Sequence, residues 1–308
     1  MNATPHSHFA RAALLPAALA SALFAGCATP PPTVQQLTPV PGALAKSADA
    51  PDLSAPLVRP EGYQLVWADE FSQPGLPDPA KWGYDTGMNR QGWYNRERQY
   101  YSGPRAENAE VRDGMLVITA RKEALRAAPD WGGQSYTSAR LLTAGKAAWT
   151  YGYVEARAKL PCGKGTWPAI WMLASEGEWP AMGELDIMEL VGREPETVFS
   201  TVHTTSGSGA KGTGASTHLP TACHAFHTYS MLWTPQELRF GVDGKTHFVY
   251  RNAGQGKAQW PFDTPQFMIL NIAVGGDFGG PVDDSIFPLR MEVDFVRVYQ
   301  LSPDRAGR

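Results

Sequence analysis

The chain has 308 residues, a formal net charge of −3 and ten tryptophans. This length accommodates one large domain and a short leader, and the slightly acidic balance excludes a general electrostatic attraction to nucleic acid. The 31 glycines and 26 prolines indicate a chain rich in turns. Its many aromatic side chains suit a ligand that offers flat apolar faces.

The first segment is expected to direct export. Residues 12–26 read AALLPAALASALFAG, an apolar run too short to span a bilayer as a stable helix. Small residues directly before Cys27 resemble a bacterial lipoprotein signal, in which this cysteine becomes lipidated. Ordinary secretion with cleavage nearby is the alternative. We therefore expect residues 1–27 to be a signal peptide, and the mature protein to be an exported lipoprotein of the outer membrane or cell surface, or secreted.

The next segment differs in composition from everything after it. Residues 28–61 are dominated by Pro, Ala and Ser and lack periodicity, which predicts a disordered or extended tether. Ordered structure is expected to begin near Tyr63. We assign residues 62–302 to one domain and residues 303–308 to a tail.

The segments after Tyr63 carry strand signals. In YVEARAKL, residues 153–160, apolar side chains alternate with Tyr, Glu, Arg and Lys, as in a half-buried strand. In ELRFGVDGKTHFVYR, residues 237–251, two such runs flank Asp243-Gly244, which predicts a hairpin. Further strands are predicted at 115–121, 136–143, 227–234, 267–274 and 291–299. Many short strands with Gly and Pro turns predict an all-β sandwich or jelly roll.

One predicted strand carries three acids in the segment GELDIMELVG, residues 183–192. Strict alternation puts Glu184 and Asp186 on one face and Glu189 on the other, buried and unpaired at a cost of several kcal/mol. A β-bulge with one extra residue at Ile187 or Met188 would return Glu189 to the face of the other two acids. The odd spacing therefore predicts a bulge.

The bulged geometry suggests glycosidase chemistry. The two glutamates would be effectively four positions apart, with Cα atoms roughly 13 Å from each other. Side chains that lean together can approach the ~5–5.5 Å between carboxyl groups of a retaining glycosidase. Three acids this close raise at least one pKa, which supplies a carboxylic acid beside a carboxylate.

The sequence is identified as resembling family 16 glycoside hydrolases, in the laminarinase-like branch. ELDIME is similar to the bulged catalytic motif of that family. VWADEFSQPG, GWYNRERQYYS, GTWPAIWML, VHTTSG, FMILNIAVGG and MEVDFVRVYQ are similar to other family segments in the same order, over about residues 63–300. The resemblance implies a concanavalin-like jelly-roll sandwich of two antiparallel sheets with a concave cleft. It also implies Glu184 as nucleophile, Glu189 as general acid/base and Asp186 as the partner that orients Glu184.

The same resemblance implies residues that bind sugar. Trp167 and Trp171 lie four apart, on one face of a strand, where their rings could stack on pyranose rings. Asn95 resembles the family asparagine that binds a glucosyl hydroxyl, with Tyr94 and Arg96 beside it in place of smaller residues. The resemblance also implies two further sugar-binding residues, Arg140 in the donor half of the cleft and His203 near the acid/base. From spacing alone, the tryptophans could equally be core residues and Arg140 a surface charge.

No redox or nucleotide cofactor is expected. The resemblance implies a structural Ca²⁺ held by Glu70, Gly114 and Asp294, for which ordinary hydrogen bonds of the two acids are the alternative. A calcium site at the three acids of 184–189 is disfavoured, because calcium ligands usually come from flexible loops. For Cys162 and Cys223 the sequence leaves open a disulfide or two buried thiols.

The expected activity is retaining endo-hydrolysis of laminarin-like β-1,3-glucan. One alternative keeps the mechanism but changes the polymer to mixed-linkage β-glucan or a galactan such as agar. A second alternative is a carbohydrate-binding module without catalysis, against which the joint presence of three acids argues. The expected partner is a β-glucan polysaccharide, with no nucleic acid, no membrane contact except through a lipid anchor, and a monomeric state.

Overall fold

The computed structural model describes residues 52–302, in which strands dominate. They are β1 Tyr63–Asp69, β2 Gly83–Tyr84, β3 Gln99–Tyr101, β4 Ala109–Arg112, β5 Met115–Ala120, β6 Tyr136–Ser138, β7 Arg140–Leu142, β8 Gly152–Lys159, β9 Thr166–Ala174, β10 Glu184–Leu190, β11 Thr197–His203, β12 Thr213–His218, β13 His227–Trp233, β14 Glu237–Val242, β15 Lys245–Arg251, β16 Gln266–Val274 and β17 Leu289–Leu301. In this range the α-helix is the four-residue α1, Gly276–Gly279, and no helix is long and apolar enough to cross a membrane. The predicted all-β class is confirmed.

Two large sheets contain most of these strands. The first has the order β15-β14-β13-β8-β17-β5-β4, with β1 paired to β17, and the second has the order β12-β11-β10-β9-β16-β7-β2. Neighbouring strands in both sheets are antiparallel. Buried apolar side chains from both sheets form one cluster, with Met172 and Leu270 from the second sheet and Val154 and Met231 from the first. The sheets therefore pack face to face, and alternate residues of each strand point away from the core.

The predicted strand segments 237–251 and 136–143 differ in how closely the structure follows them. The hairpin at 237–251 forms as β14 and β15, and Asp243 and Gly244 both take positive φ in its turn, 49° and 76°. The segment 136–143 instead divides at Ala139. Its first part, β6, pairs with β3 in parallel, and its second part, β7, pairs with β16.

The predicted tether needs a correction at its end. Leu57 is only 1% exposed, and its amide donates to the Gly244 carbonyl oxygen at 2.8 Å. One residue earlier, Pro56 forms a bridge to Lys245, and the Ala55 carbonyl oxygen accepts a hydrogen bond from the Thr246 hydroxyl. Residues 55–57 thus pack on the β14–β15 hairpin and are part of the domain. The signal segment 1–27, the tether up to residue 51 and the tail 303–308 lie outside the described residues.

Cys162 and Cys223 form a disulfide, with 5.7 Å between their Cα atoms. Cys162 follows β8 and Cys223 precedes β13, and these two strands pair with each other up to Ala158 and His227. The bridge therefore extends this pairing beyond the strand ends. Of the two arrangements that the sequence left open, the structure has the disulfide.

Candidate active site

The acid strand β10 contains the predicted bulge. Against β11, Asp186 pairs with Thr201 and Glu189 with Phe199, so that two residues of β10 face one residue of β11. Against β9, Asp186 pairs with Trp171 and Met188 already pairs with Ile170. The register with β9 identifies Ile187 as the extra residue, and the register with β11 agrees with it.

The bulge determines which side chains of β10 point into the core and which point into the site. Ile187 and Met188 are buried in the core cluster, at 1% and 0% exposure. Glu189 meanwhile accepts a hydrogen bond from the indole nitrogen of Trp167 on β9, 2.9 Å from its Oε1. The three acids consequently share the face of the second sheet that points away from the core, as predicted.

Each acid has a defined partner. Trp179, in the loop before β10, donates from its indole nitrogen to Glu184 Oε2 at 2.6 Å. His203 Nε2 lies 3.1 Å from Asp186 Oδ2, and the His203 ring also lies against Trp179, with 6.2 Å between ring centroids. These contacts fix the carboxyl groups before any substrate arrives.

Burial and mutual repulsion raise the pKa of all three acids. Desolvation, followed by the charge of Asp186, raises the pKa of Glu184 to about 8. Desolvation also raises the pKa of Glu189 to about 7, although the hydrogen bond from Trp167 opposes the shift. The pKa of Asp186 lies well above its usual range because the group is fully desolvated and faces Glu189. At neutral pH the three acids therefore share at least one proton.

The walls of the site come from β9, β16 and β7. Trp171 donates from its indole nitrogen to Asn271 Oδ1 at 2.7 Å. Arg140 lies over the ring of Trp171, 4.6 Å from the guanidinium carbon to the ring centroid, and over Trp93 at 5.2 Å. Arg140 is 9% exposed and lies 3.1 Å from Asp85 Oδ2. Arg140 is therefore a buried support for Trp171 and not a surface charge.

Asn95 lies in a short turn, Tyr94–Arg96, with a left-handed φ of 56°. Its side-chain amide is 3.5 Å from Glu97 Oε1. The Asn95 carbonyl oxygen lies 2.7 Å from where a Cβ on Gly276 would be, so only glycine at 276 allows this approach. The turn thus packs on α1, directly after β16.

The structure brings together most of the predicted site residues, namely Glu184, Asp186, Glu189, Trp167, Trp171 and His203. Sequence reasoning missed Trp179, Asn271 and Glu97. Asn271 had a signal, because it is a lone polar residue in the apolar run FMILNIAV and is 5% exposed. Trp179 had none, since only the fold of its loop brings it to Glu184.

The residues predicted to hold calcium lie beside one another along β17. Asp69, just before Glu70, pairs with Val296, and Leu116, two residues after Gly114, pairs with Val293. Glu70 receives two hydrogen bonds from Arg297, at 2.7 and 2.8 Å, and Asp294 pairs with Arg157 at 2.6 Å. A cation there would compete with arginine for both carboxylates.

Within residues 52–302, the side-chain group close enough to hold a metal is Glu184, Asp186 and His203, with ligand atoms within 4.8 Å. Two carboxylate oxygens and an imidazole nitrogen are a poor set for Ca²⁺, which takes six to eight oxygen ligands. The donor set therefore favours acid–base chemistry over a calcium site at the acids.

Comparison with known proteins agrees with this geometry. Residues 96–296 match the family described as glycosyl hydrolases family 16. The chain belongs to glycosyl hydrolase family 16. A β-glucanase from Rhodothermus marinus is 48% identical over 252 residues, which cover 77% of this chain and 85% of that protein. The crystal structure of SCLam, a non-specific endo-β-1,3(4)-glucanase of family 16, is 52% identical with a TM-score of 0.79, covering 80% of this chain and 94% of that one.

A more distant relative has a different name. The keratan-sulfate endo-1,4-β-galactosidase of Sphingobacterium multivorum is 35% identical over 272 residues, which cover 85% of this chain and 61% of that protein. The close relatives are β-glucanases with the same two-sheet fold, so the protein is a family 16 glycoside hydrolase with a jelly-roll sandwich. Retention of anomeric configuration is general in this family.

Proposed function

We propose that the protein is a retaining endo-β-1,3-glucanase that hydrolyses laminarin-like glucans, with Glu184 as nucleophile and Glu189 as general acid/base. The observation that carries the assignment is the bulge at Ile187, which puts both glutamates on one face beside the rings of Trp167 and Trp171. Two carboxyl groups and an aromatic wall are what a retaining glycosidase requires.

Asp186 determines which acid is ionised. It is the most buried of the three acids, at 3% exposure, and its pKa is raised well above the usual range. In the free enzyme, burial and the charge of Asp186 raise the pKa of Glu184 to about 8, so Glu184 is mostly protonated at neutral pH. We infer that in the reactive complex the proton shared by the two acids is held by Asp186, which donates it in a hydrogen bond to Glu184 and leaves Glu184 the attacking carboxylate. His203 Nε2 lies 3.1 Å from Asp186 Oδ2 and helps to hold Asp186 in place.

The reaction then proceeds by double displacement. Glu184 forms a bond to the anomeric carbon while the glycosidic C–O bond breaks, and Glu189 gives its proton to the departing oxygen. Water next attacks the anomeric carbon and gives its proton to Glu189, and the bond to Glu184 breaks. Trp167, which donates to Glu189, keeps that carboxyl group aimed at the glycosidic oxygen.

The test is to follow laminarin hydrolysis by NMR, where the first-formed product should be the β anomer. Glu184→Gln and Glu189→Gln should each lose nearly all turnover. Azide, a nucleophile that needs no base, distinguishes the two roles with an activated aryl glycoside. Glu189→Ala plus azide should yield the β-glycosyl azide, and Glu184→Ala plus azide the α product. A first-formed α anomer, or near-normal activity of either Gln variant, would refute the proposal.

Mixed-linkage β-glucan is a second candidate substrate, favoured by the 52% identity to a non-specific endo-β-1,3(4)-glucanase. The relative named as a keratan-sulfate endo-1,4-β-galactosidase makes galactans a further class of candidate substrate. Initial rates on laminarin, lichenan, agarose and keratan sulfate rank these substrates. Binding of laminarin oligosaccharides without any turnover on the whole panel would instead support the binding-module alternative.

We also propose a structural Ca²⁺ held by Glu70, Gly114 and Asp294, which would join the β1 and β5 ends to β17. Excess Ca²⁺ should raise the melting temperature of EDTA-treated protein, and Asp294→Ala should remove the increase. If EDTA and Ca²⁺ leave the melting temperature equal, the arginine pairs are the complete structure there and the calcium proposal fails.

The cellular proposal concerns residues outside the described range. We propose that Cys27 carries lipid and that the exported enzyme is a monomer. Cells fed labelled palmitate should label the wild type but not Cys27→Ala, and light scattering should give one chain per particle. Unlabelled wild-type protein in the medium would indicate ordinary secretion.

A further inference from the structure

A second bulge lies in the other sheet, on β15. On β15, Thr246 pairs with Gly241 and Phe248 pairs with Phe240, so His247 is an extra residue between them. A bulge bends its strand and can direct a side chain that would otherwise follow the strict alternation. His247 reaches across from the first sheet to Ser200 on β11 of the second sheet.

Ser200 connects the two bulges. In the register of β10 and β11 it is the single residue opposite Ile187 and Met188. Its hydroxyl donates to the carbonyl oxygen of Ile187 at 2.8 Å. The bulged residue loses its regular ladder partner, and this side chain supplies a replacement.

The direction of the second hydrogen bond follows from the first. Because the Ser200 hydrogen is used toward Ile187, its oxygen accepts from His247 Nε2, 3.0 Å away. Burial lowers the pKa of His247 to about 4, which leaves the ring uncharged at neutral pH. Ser200 is fully buried, so neither bond competes with bulk solvent.

We propose that Ser200 and His247 are positioning residues that hold the catalytic bulge in register. Their hydrogen bonds join them to each other and to the Ile187 carbonyl, and not to the reacting acids. They fix the Ile187 carbonyl, and with it the offset that returns Glu189 to the face of Glu184. This inference rests on the proposed function, since it assigns the two residues to the spacing of nucleophile and acid/base.

The experiment measures kcat and KM of Ser200→Ala and His247→Leu on the glucan that the wild type hydrolyses best. A misplaced acid slows chemistry more than binding, so kcat should fall on the order of 10- to 100-fold with KM within about twofold. His247→Gln keeps a side-chain N–H and should restore most of kcat. The double variant Ser200→Ala/His247→Leu should be no slower than Ser200→Ala alone, because both residues act through one bond to Ile187.

Ser230→Ala is the matched control. Ser230 is likewise a buried serine, 1% exposed on β13, and its hydroxyl accepts from the Tyr153 hydroxyl at 3.2 Å. Ser230→Ala should lower the melting temperature about as much as Ser200→Ala but leave kcat unchanged. Near-normal kcat in Ser200→Ala would overturn the proposal. If Ser200→Ala does not fold, wild-type kcat in His247→Leu, or equal losses in His247→Leu and His247→Gln, overturns it.

The two proposals fail in different ways. Activity that survives Glu184→Gln or Glu189→Gln refutes the proposed function whatever Ser200 does. Inactive Gln variants together with fully active Ser200 and His247 variants leave the proposed function standing and refute only the positioning role.

Discussion

The environment of Glu189 depends on the backbone two residues before it, at the bulge. The extra residue Ile187 puts Glu189 on the face of the active site. Burial raises the pKa of Glu189, and the contacts with Trp167 and His203 oppose that rise. Charge on the three acids is therefore coupled to folding as well as to catalysis.

This coupling predicts a pH-dependent gain of stability in Glu184→Gln. The folded pKa of Glu184 is about 8, well above that of a carboxyl group in an unfolded chain, so the wild type loses stability as pH rises from about 4.5 to 8. Gln stays neutral and avoids this loss. We compare the free energy of unfolding of the variant with that of the wild type. The advantage of the variant should be larger at pH 8.5 than at pH 5 by at least about 1 kcal/mol, which corresponds to roughly 2–4 °C in melting temperature.

Thermal melts at the two pH values check this result. Glu176→Gln, at an exposed position in the loop before β10, is the control and should track the wild type at both pH values. An equal difference between Glu184→Gln and wild type at pH 5 and pH 8.5 would mean that Glu184 is not proton-linked to folding.

Residue patterns predicted the acids but not all of their partners. The odd spacing of Glu184 and Glu189 predicted both the bulge and the shared face, because alternation is a local property of a strand. Trp179 and Ser200 could not be predicted, since their contacts depend on a loop conformation and on the register between β10 and β11. The sequence around neither residue encodes those features locally.

At the scale of elements, residues 55–57 pack on the β14–β15 hairpin and belong to the domain. The composition of the segment 52–61 resembles a tether, and its few large apolar residues, Leu53, Leu57 and Val58, were too weak a signal to contradict that interpretation. In the structure Leu57 fills a buried position and its amide completes the hairpin turn at Gly244.

Leu57→Ala should therefore destabilise the domain by about 2–5 kcal/mol, as expected for a leucine truncated in a packed core. The neighbouring Val58 is 59% exposed, and Val58→Ala is the matched control with an expected change within about 0.5 kcal/mol. Urea denaturation of the two variants gives the comparison. Equal midpoints would show that the segment does not stabilise the domain.

At the scale of the whole molecule, distant segments of the chain meet in the site. Trp171 and Asn271 are 100 residues apart in sequence but lie on the neighbouring strands β9 and β16. Local periodicity predicted the existence of these strands but contains no information on which strands pair. Only the resemblance to family 16 implied their arrangement, and the structure confirmed it.

The disulfide joins two segments separated by 61 residues, and its removal should lower stability throughout the domain. For Cys162→Ser/Cys223→Ser we expect a loss of about 2–4 kcal/mol and a fall in melting temperature of roughly 5–15 °C. Dithiothreitol should bring the wild type to the melting temperature of the double variant and leave the variant unchanged. A wild type that is insensitive to dithiothreitol would contradict this prediction.

The extra residue at Ile187 also changes which residue numbers of β10 point away from the core. Even-numbered positions, Glu184 and Asp186, point into the cleft before it, and the odd-numbered Glu189 does so after it, while Leu190 returns to the core. Removing one residue at this point would bring the numbering back into phase without moving any acid to the opposite face. The catalytic geometry of this strand thus depends on which face each acid occupies, and a chain one residue shorter at this point could keep all three acids on the same face.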